Sequence, residues 1–250
     1  MFSLIEERGF MRVADLSNIF GISEVTVRSD LDHPDASPRI QRVHGGAMVR
    51  DGRSHVEQTF EQSEVASADE KAAIGEAAAA LVIPGESLII DVGTTTTAVA
   101  RALARRRDLE DVVVFTNGLT IAAELEPEIP RISVILTGGR LRPRQHSLVD
   151  PLAGLILEQV NVTTAFVGCT GVHPEEGLTN INLPEAAVKT LMIKAAHRVV
   201  VVAEGPKLGR ISVARFADLA DVDVLITGPS APPELVNQIR DRGIATTVTE

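Results

Sequence analysis

The sequence predicts an α/β fold, in which a mainly parallel β-sheet is flanked by helices and preceded by a small N-terminal helical domain. Short runs rich in Val and Ile are apolar at nearly every position, which is typical of strands buried on both faces. These runs alternate with segments of helical periodicity, which favours parallel strands connected by helices. Glycine and polar residues follow the ends of the runs, at the edge where parallel sheets bind ligands.

The predicted strands and helices alternate from residue 69 onward. The strand-like runs are Leu88–Ile90, Val112–Phe115, Ile132–Leu136, Thr163–Val167, Arg198–Ala203 and Val222–Ile226. The helical patterns cover 69–81, 119–126, 149–159, 184–196 and 232–242. The sequence before residue 69 lacks such strand runs, and we expect a separate domain there.

The composition predicts a cytoplasmic protein with an aliphatic core. Of its 250 residues, 44% are hydrophobic and 23% charged, and Trp and Tyr are absent, which argues against binding single strands by aromatic stacking. The one cysteine, Cys169, permits no intrachain disulfide, which suits a reducing compartment. No window approaches the roughly 18 to 20 apolar residues of a membrane span. The net charge of −10 argues against nonspecific coating of nucleic acid.

The stretch from Leu88 to Leu103 is the first candidate binding loop. A short apolar run is followed by Asp91, Gly93 and four threonines, and then by an alanine- and leucine-rich helical pattern. A strand that stops at a glycine before a helix exposes backbone N–H groups at the positive end of the helix dipole, which suits a phosphate or carboxylate. The alternative is an ordinary turn with a threonine N-cap.

The first 50 residues contain a helix-turn-helix pattern. A helix over 12–20 is predicted by apolar residues at helical spacing, which are Val13, Leu16, Ile19 and Phe20. Gly21 then turns the chain, and Ser23 is a good N-cap for a second helix over 24–31. Two short helices joined in this way form the motif whose second helix enters the DNA major groove.

Residues on this second helix and on a predicted wing are candidates for binding double-stranded DNA. Val27 and Leu31 are four residues apart and should face inward, which leaves the opposite face for DNA. An alternating segment that ends in Gly45-Gly46 predicts a β-hairpin wing. The candidate DNA-binding residues are Ser23, Val25, Thr26, Arg28, Arg39, Arg42 and His44. The alternative is a winged-helix domain used only for protein contacts.

The ends of five predicted strands carry glycine and polar residues. These segments are Asp91–Thr97, Thr116–Gly118, Thr137–Arg140, Gly168–Gly171 and Glu204–Lys207. Together they predict a polar pocket for a phosphorylated or otherwise anionic, hydroxyl-rich metabolite. No metal or cofactor is expected, because His146, His173 and His197 are too dispersed in the sequence for a metal site.

The chain resembles the DeoR family of bacterial transcription regulators. Residues 21–31 follow the family's recognition helix, the segment Arg42-Val-His-Gly-Gly-Ala47 follows its wing, and the resemblance extends over most of the chain. It implies an effector domain with the fold of ribose-5-phosphate isomerase and glucosamine-6-phosphate deaminase, and a sugar-phosphate ligand. The site residues implied by the resemblance are Asp91, Gly93, Thr94, Thr95, Thr96, Asn117, Gly138, Gly139, Arg140, Glu185 and Lys207.

Two of these residues have simpler explanations. Glu185 follows Pro184 at the start of a predicted helix, where an acidic side chain interacts favourably with the helix dipole. Lys207 fits an ordinary solvated lysine of a loop. The sequence alone leaves both alternatives open.

The chain departs from the family pattern at several positions. The first helix, from Met1 to about Arg8, is shorter than usual. Glu204 and Gly205 stand where an Asp and a small hydroxyl residue are usual, which bears on the preferred sugar. The other departures are Ser29 in place of a common arginine, Pro34 and Pro38 in place of an apolar residue and a turn glycine, and Asp150 in place of a common glycine.

These patterns predict three segments along the chain. Residues 1–50 form a winged helix-turn-helix DNA-binding domain, 51–68 a linker, and 69–250 an effector-binding domain. The arginines of the first domain are nearly balanced by its aspartates, so a single copy should bind DNA weakly. We therefore expect a homo-oligomer, a dimer or tetramer, that binds repeated half-sites.

The sequence therefore predicts a DNA-binding repressor of a sugar or carbohydrate catabolic operon, relieved by a phosphorylated sugar, and not an enzyme. The alternative is a sugar-phosphate isomerase or deaminase with an appended DNA-binding-like domain. Such chemistry needs a carboxylate base, for which Asp91 and Glu185 are candidates. The chain lacks the isomerase's Asp-Gly-Ala-Asp sequence and its lysine-plus-glycine run, which favours the repressor.

Overall fold

The structure is a computed structural model that describes residues 1, 4–5, 10–32, 40–43, 46–49 and 57–250. The chain divides into two compact units, Met1–Ser67 and Ala68–Glu250. In the described residues, no helix is long and apolar enough to cross a membrane.

The N-terminal unit contains the predicted helix-turn-helix and wing. Its helices are α1 (Val13–Phe20), α2 (Glu24–Asp32) and α3 (Phe60–Val65), and its strands are β1 (Phe10–Arg12), β2 (Ile40–Val43) and β3 (Gly46–Val49). The strands form an antiparallel sheet in the order β1-β3-β2, so the predicted hairpin is present. Its small core consists of Ile5, Met11, Val13, Leu16, Val27, Leu31 and Ala47.

The predicted apolar face of α1 is only partly buried. Val13 and Leu16 pack into the core, whereas Ile19 is 51% exposed and Phe20 is 42% exposed. Because α1 ends at Phe20 and Gly21 turns the chain with a φ of 63°, the last turn of the helix lies beyond the core contact. Gly21 occupies the left-handed region that favours glycine at helix ends.

The predicted linker contains a short helix. Thr59 caps α3 through a capping box, in which the Gln62 N–H donates to the Thr59 hydroxyl and the Thr59 N–H donates to the Gln62 side chain. Phe60 is buried at the first position of this helix. Residues 51–56, and most of the predicted first helix over 1–8, lie outside the described residues.

A seven-stranded parallel sheet forms the centre of the C-terminal unit. Its strands are β4 (Ser87–Ile90), β5 (Val112–Thr116), β6 (Ile132–Leu136), β9 (Val162–Val167), β12 (Ala196–Ala203), β14 (Val224–Thr227) and β15 (Ala245–Val248). They lie in the order β15-β14-β12-β9-β4-β5-β6, and every neighbouring pair is parallel. Each predicted strand run therefore contributes a strand to this sheet.

Helices cover both faces of the sheet, which confirms the predicted fold class. Successive residues of β4 enter different apolar clusters: Ile89 packs in one, and Leu88 and Ile90 pack in the other. Alternation of this kind explains the continuous apolar runs, because both faces of each strand are buried. The helices are α4 (Ala68–Ala79), α5 (Thr94–Arg105), α6 (Leu119–Leu125), α7 (Leu152–Leu157), α8 (Leu183–Lys194) and α9 (Pro233–Asp241).

Several short antiparallel strands differ from the sequence prediction. The helix predicted over 149–159 begins at Leu152, because Ser147–Val149 instead forms β8, which pairs with β7 (Arg140–Arg142). Another small sheet contains β10 (Gly171–His173), β11 (Gly177–Asn180) and β13 (Ala214–Ala217). These short strands lack the continuous Val and Ile runs by which the parallel strands are recognised in the sequence.

The order of the strands places the switch point of the sheet between β4 and β9. The chain runs outward from β4 through β5 and β6, and then outward on the other side through β9, β12, β14 and β15. The carboxyl ends of β4 and β9 therefore flank the point at which the direction of winding reverses. In sheets of this type, ligands bind at that point.

Candidate functional site

The loop between β4 and α5 is held by its own hydroxyl groups. Gly93 has a φ of 147°, which side-chain-bearing residues rarely adopt, and its carbonyl accepts hydrogen bonds from the Thr96 hydroxyl at 2.9 Å and the Thr97 hydroxyl at 2.7 Å. Thr94 begins the helix and is buried. The first N–H groups of α5 have no partner within the helix, because of helix geometry. They lie at the carboxyl end of β4, where the sequence predicts an anion site.

A fully buried ion pair joins this loop to α8 and β9. Asp91 Oδ2 accepts a hydrogen bond from the Gly168 N–H at 3.0 Å and is paired with the ammonium of Lys189, which also donates to the Gly168 carbonyl at 3.1 Å. Burial raises the pKa of Asp91 above its ordinary value, while the attraction of Lys189 opposes that rise. Within the described part of the chain, Asp91 Oδ1 has no hydrogen-bond partner.

Glu185 lies buried in the first turn of α8 and accepts hydrogen bonds from several directions. Its Oε1 accepts from the Ser147 hydroxyl at 2.6 Å and is paired with Arg142, and its Oε2 lies 3.3 Å from Asn180 Nδ2. Asn182 caps the helix by accepting from the Glu185 N–H at 3.1 Å. A favourable helix dipole alone would not require these partners, so the structure places Glu185 in a buried polar network.

A second buried carboxylate, Glu204, follows β12. Its Oε1 accepts from the Thr95 hydroxyl at 2.6 Å and lies 3.6 Å from Lys71 Nζ, while its Oε2 lies 2.8 Å from Lys207 Nζ. Burial alone would raise the pKa of Glu204, but attraction by the two lysines outweighs burial and lowers this pKa to about 2. Burial also opposes the charge of Lys207, but attraction by Glu204 raises the pKa of that lysine. Lys207 is only a quarter exposed, so it is not an ordinary solvated lysine.

Asn117 and the glycines after β6 support the loops beside this switch point. Asn117 is buried; its side-chain oxygen accepts from the Val92 N–H at 2.9 Å, and its amide donates to the Leu148 carbonyl at 3.3 Å. A Cβ on Gly139 would lie 2.2 Å from the Val149 carbonyl oxygen, so only glycine fits there. Gly138 has a φ of 74°, and Arg140 is an exposed residue of β7.

Sequence reasoning missed several residues of this site. Lys189 lies four residues after Glu185 on the same helix, and that spacing is the one available signal for it. Lys71, Arg142 and Ser147 carry no comparable signal, because their contacts with Glu204 and Glu185 depend on tertiary packing. Glu204 belongs to one of the strand-end segments singled out in the sequence and departs from the family pattern, but neither observation predicts its contact with Thr95.

Cys169 lies close enough to Lys207 and Lys189 to interact with their charges. It is buried in the apolar cluster on one side of the sheet, and burial raises the pKa of its thiol to about 11. Across the described ranges, no group of His, Cys, Asp and Glu side chains is arranged to hold a metal ion.

The second helix of the N-terminal unit has the predicted cap and orientation. Ser23 Oγ accepts from the Thr26 N–H at 3.1 Å, while Val27 and Leu31 are buried. Val25 is 72% exposed on the opposite side. Arg28, also exposed, pairs with Glu24 at 2.6 Å on the same helix.

The remaining DNA-binding candidates are those that the sequence assigns to the wing. Arg42 is a residue of β2 and lies opposite Ala47 of β3 in the hairpin register. Arg39 and His44 lie outside the described residues, as do Pro34 and Pro38.

Comparison with known proteins identifies both units. Residues 1–53 match the DeoR-like helix-turn-helix domain, and residues 66–229 match the DeoR C-terminal sensor domain. The HTH-type transcriptional regulator GlpR of Haloferax volcanii is 36% identical over 96% of this chain and 92% of its own length. The HTH-type transcriptional repressor CsqR of Escherichia coli K12 is 31% identical over 98% of this chain and 91% of its own.

A solved structure is similar to part of the chain. Ribose 5-phosphate isomerase A from Methanocaldococcus jannaschii aligns with 58% of this chain and 56% of that one, at 17% identity and a TM-score of 0.44. The helix-turn-helix, the parallel sheet and the two family matches agree along the chain. The chain belongs to the DeoR family and is a DNA-binding transcriptional regulator.

Proposed function

We propose that this regulator represses a carbohydrate catabolic operon and that a phosphorylated sugar, bound at the carboxyl ends of β4 and β9, relieves the repression. The observation that carries the proposal is the buried carboxylate of Asp91, whose Oδ1 lacks a partner in the part of the chain that the structure describes. An unsatisfied buried oxygen costs free energy, which a sugar hydroxyl would recover by donating to it.

Positively charged groups at this edge of the sheet support an anionic ligand. Three buried carboxylates, those of Asp91, Glu185 and Glu204, are each paired with at least one cation among the described side chains. The cations are Lys71, Lys189, Lys207 and Arg142. The N–H groups at the start of α5 add the positive end of a helix dipole. A phosphate bound to these N–H groups, with its sugar directed toward Asp91, would be stabilised by the helix dipole and by the nearby cations.

The candidate effector residues have distinct roles in this proposal. The phosphate contacts the first turn of α5, and Lys207 closes over it. Asp91 and Arg140 contact the sugar, whereas Asn117 and Glu185 hold the surrounding loops in place. The first-turn residues are Gly93, Thr94, Thr95 and Thr96, and the backbone of Gly138 and Gly139 lines the opposite wall.

The DNA-binding surface would consist of the exposed side of α2 and the wing. In this proposal Thr26 and Val25 contact thymine methyl groups, and Arg28 contacts a guanine or a phosphate. Because Glu24 already pairs with Arg28, DNA must compete for that guanidinium, which limits the affinity of one copy. We therefore propose a homo-oligomer that binds repeated half-sites through Ser23, Val25, Thr26, Arg28, Arg39, Arg42 and His44.

The test combines ligand screening with DNA binding. The full chain is melted with glycerol 3-phosphate, fructose 1-phosphate, ribose 5-phosphate and glucose 6-phosphate, each beside its unphosphorylated counterpart. A ligand at 100 times its Kd stabilises the protein by about 2.7 kcal/mol, so a true effector should give a clear shift. The same compound should release DNA that was selected from a random pool by the full chain. A stabilising sugar phosphate that leaves the DNA complex unchanged would contradict the proposal.

An isomerase or deaminase activity is the competing function. Asp91 has a raised pKa, as a catalytic base often does, because it is buried, but its Oδ2 is held by Lys189 and Gly168. Incubation of the full chain with the same sugar phosphates distinguishes the two. Isomerised product or released ammonia would favour the enzyme, and unchanged substrate together with effector-dependent DNA release would favour the sensor.

A further inference from the structure

Glu204 lies between the loop proposed to bind phosphate and the first turn of α4. Its Oε1 accepts from the Thr95 hydroxyl at 2.6 Å, and its Oε2 pairs with Lys207 at 2.8 Å. The same Oε1 lies 3.6 Å from the ammonium of Lys71, which is beyond hydrogen-bonding distance but within reach of a small movement. Glu204 and Lys71 are both buried, so solvent screens their interaction little.

The first turn of α4 is attached to the same loop at a second point. Glu70 Oε1 accepts from the Gly205 N–H at 3.0 Å and from the Ser230 hydroxyl at 2.6 Å. Two successive residues of α4 therefore contact the segment that begins at Glu204. Since α4 is the first helix of the C-terminal unit, a change in its first turn acts on the chain where it enters that unit.

A bound phosphate would compete directly with Glu204. Both anions would accept hydrogen bonds from the Thr95 hydroxyl and the Lys207 ammonium. In addition, two like charges a few ångströms apart repel each other strongly in a buried site. Glu204 can respond by giving up these two donors and approaching Lys71. The network therefore has two arrangements, and the ligand favours one of them, which is what coupling between distant sites requires.

We propose that Glu204 transmits effector binding: the phosphate takes over Thr95 and Lys207, and the displaced carboxylate closes on Lys71 and tightens the first turn of α4. This inference rests on the proposed function, because it requires an anion at the start of α5. Glu204 acts here as a positioning residue. Its partner Lys71 lies outside the residues assigned to the effector.

The experiment uses the full chain and inorganic phosphate as the probe. Calorimetry measures phosphate binding, and hydrogen–deuterium exchange measures the amides of residues 68–74 with and without phosphate. In the wild-type protein, phosphate should slow exchange in this segment by about fivefold or more, which is the lower end of typical coupling between sites. Exchange reports this segment directly and needs no knowledge of the operator.

Two variants separate transmission from folding. Glu204→Gln removes the competing charge, so phosphate should bind about tenfold or more tightly, while the response at 68–74 is lost. Lys71→Met keeps a long side chain without its charge and should retain phosphate binding but lose the same response. Lys194→Met is the matched control for loss of a positive charge, because Lys194 is exposed on α8, and it should respond as the wild type does. A cooperative melting transition establishes that each variant is folded.

The outcomes distinguish the inference from the proposed function. If wild-type protein binds no phosphate in calorimetry, and no sugar phosphate stabilises it, the effector site itself is wrong and the inference fails with it. If phosphate binds but exchange at 68–74 is unchanged, the inference alone is overturned. It is likewise overturned if Lys71→Met retains the full response, or if Glu204→Gln binds phosphate more weakly than the wild type.

Discussion

Gly75 in α4 offers a sharp test of the packing that positions the proposed phosphate loop. A Cβ at this position would lie 2.6 Å from the carbonyl carbon and oxygen of Ala98 and 3.0 Å from the Val99 nitrogen, all of which are backbone atoms of α5. Backbone atoms cannot rotate away as a side chain can, so Gly75→Ala must move α4 and α5 apart.

The expected magnitude follows from two opposing effects. Alanine in a helix interior is about 1 kcal/mol more favourable than glycine. Overpacking of a tight interior costs about 1–3 kcal/mol, and contacts of 2.6 Å with backbone place this site at the upper end. We expect a net loss of about 2 kcal/mol, which lowers the melting temperature of a unit of this size by about 4–8 °C.

Gly154 in α7 supplies the matched control, because a Cβ there would meet only the end of the Leu191 side chain, at 3.0 Å. Gly154→Ala should therefore leave the melting temperature unchanged or raise it. Differential scanning calorimetry of the two variants measures both effects. A Gly75→Ala protein that melts at or above the wild-type temperature would refute the close approach of α4 and α5.

The remaining predictions concern the two binding surfaces and the buried carboxylate. Arg28→Ala should weaken operator binding in a mobility-shift titration at fixed salt, with the effector-induced thermal shift intact; unchanged DNA retention would mean that α2 is not the recognition helix. Lys207→Ala and Thr95→Val should weaken effector binding in calorimetry without changing DNA binding in its absence, and unaltered affinity in both would reject the pocket. Because the pKa of Glu204 is lowered from 4.5 to about 2, its ionised form contributes stability above pH 4.5 that is lost as the pH falls toward 2. The stability advantage of the wild type over Glu204→Gln, measured by denaturant unfolding, should therefore shrink by about 3 kcal/mol over that range, and a constant difference would contradict the buried pairing.

Residues of the candidate site differ in how far the sequence predicts them. The loop at Gly93 is predictable, because a strand, a glycine and a hydroxyl-rich helix start are adjacent in the chain. The partners of its side chains are not. Thr95 donates to Glu204, which is 109 residues away, and Asp91 pairs with Lys189, which is 98 residues away.

Local sequence is enough to predict the helix-turn-helix, the wing and six of the seven strands of the parallel sheet; the edge strand β15 is not predicted. These elements are indicated by hydrophobic periodicity, by an N-cap at Ser23 and by the glycines that end strands. Each of these signals depends on residues that are close in the sequence, so it can be recognised without the tertiary structure. Which charged side chains meet is a property of the folded chain. The sheet order brings β4 beside β9, and helix packing brings Lys71 to Glu204. Such contacts depend on how distant segments pack, and no local pattern encodes them.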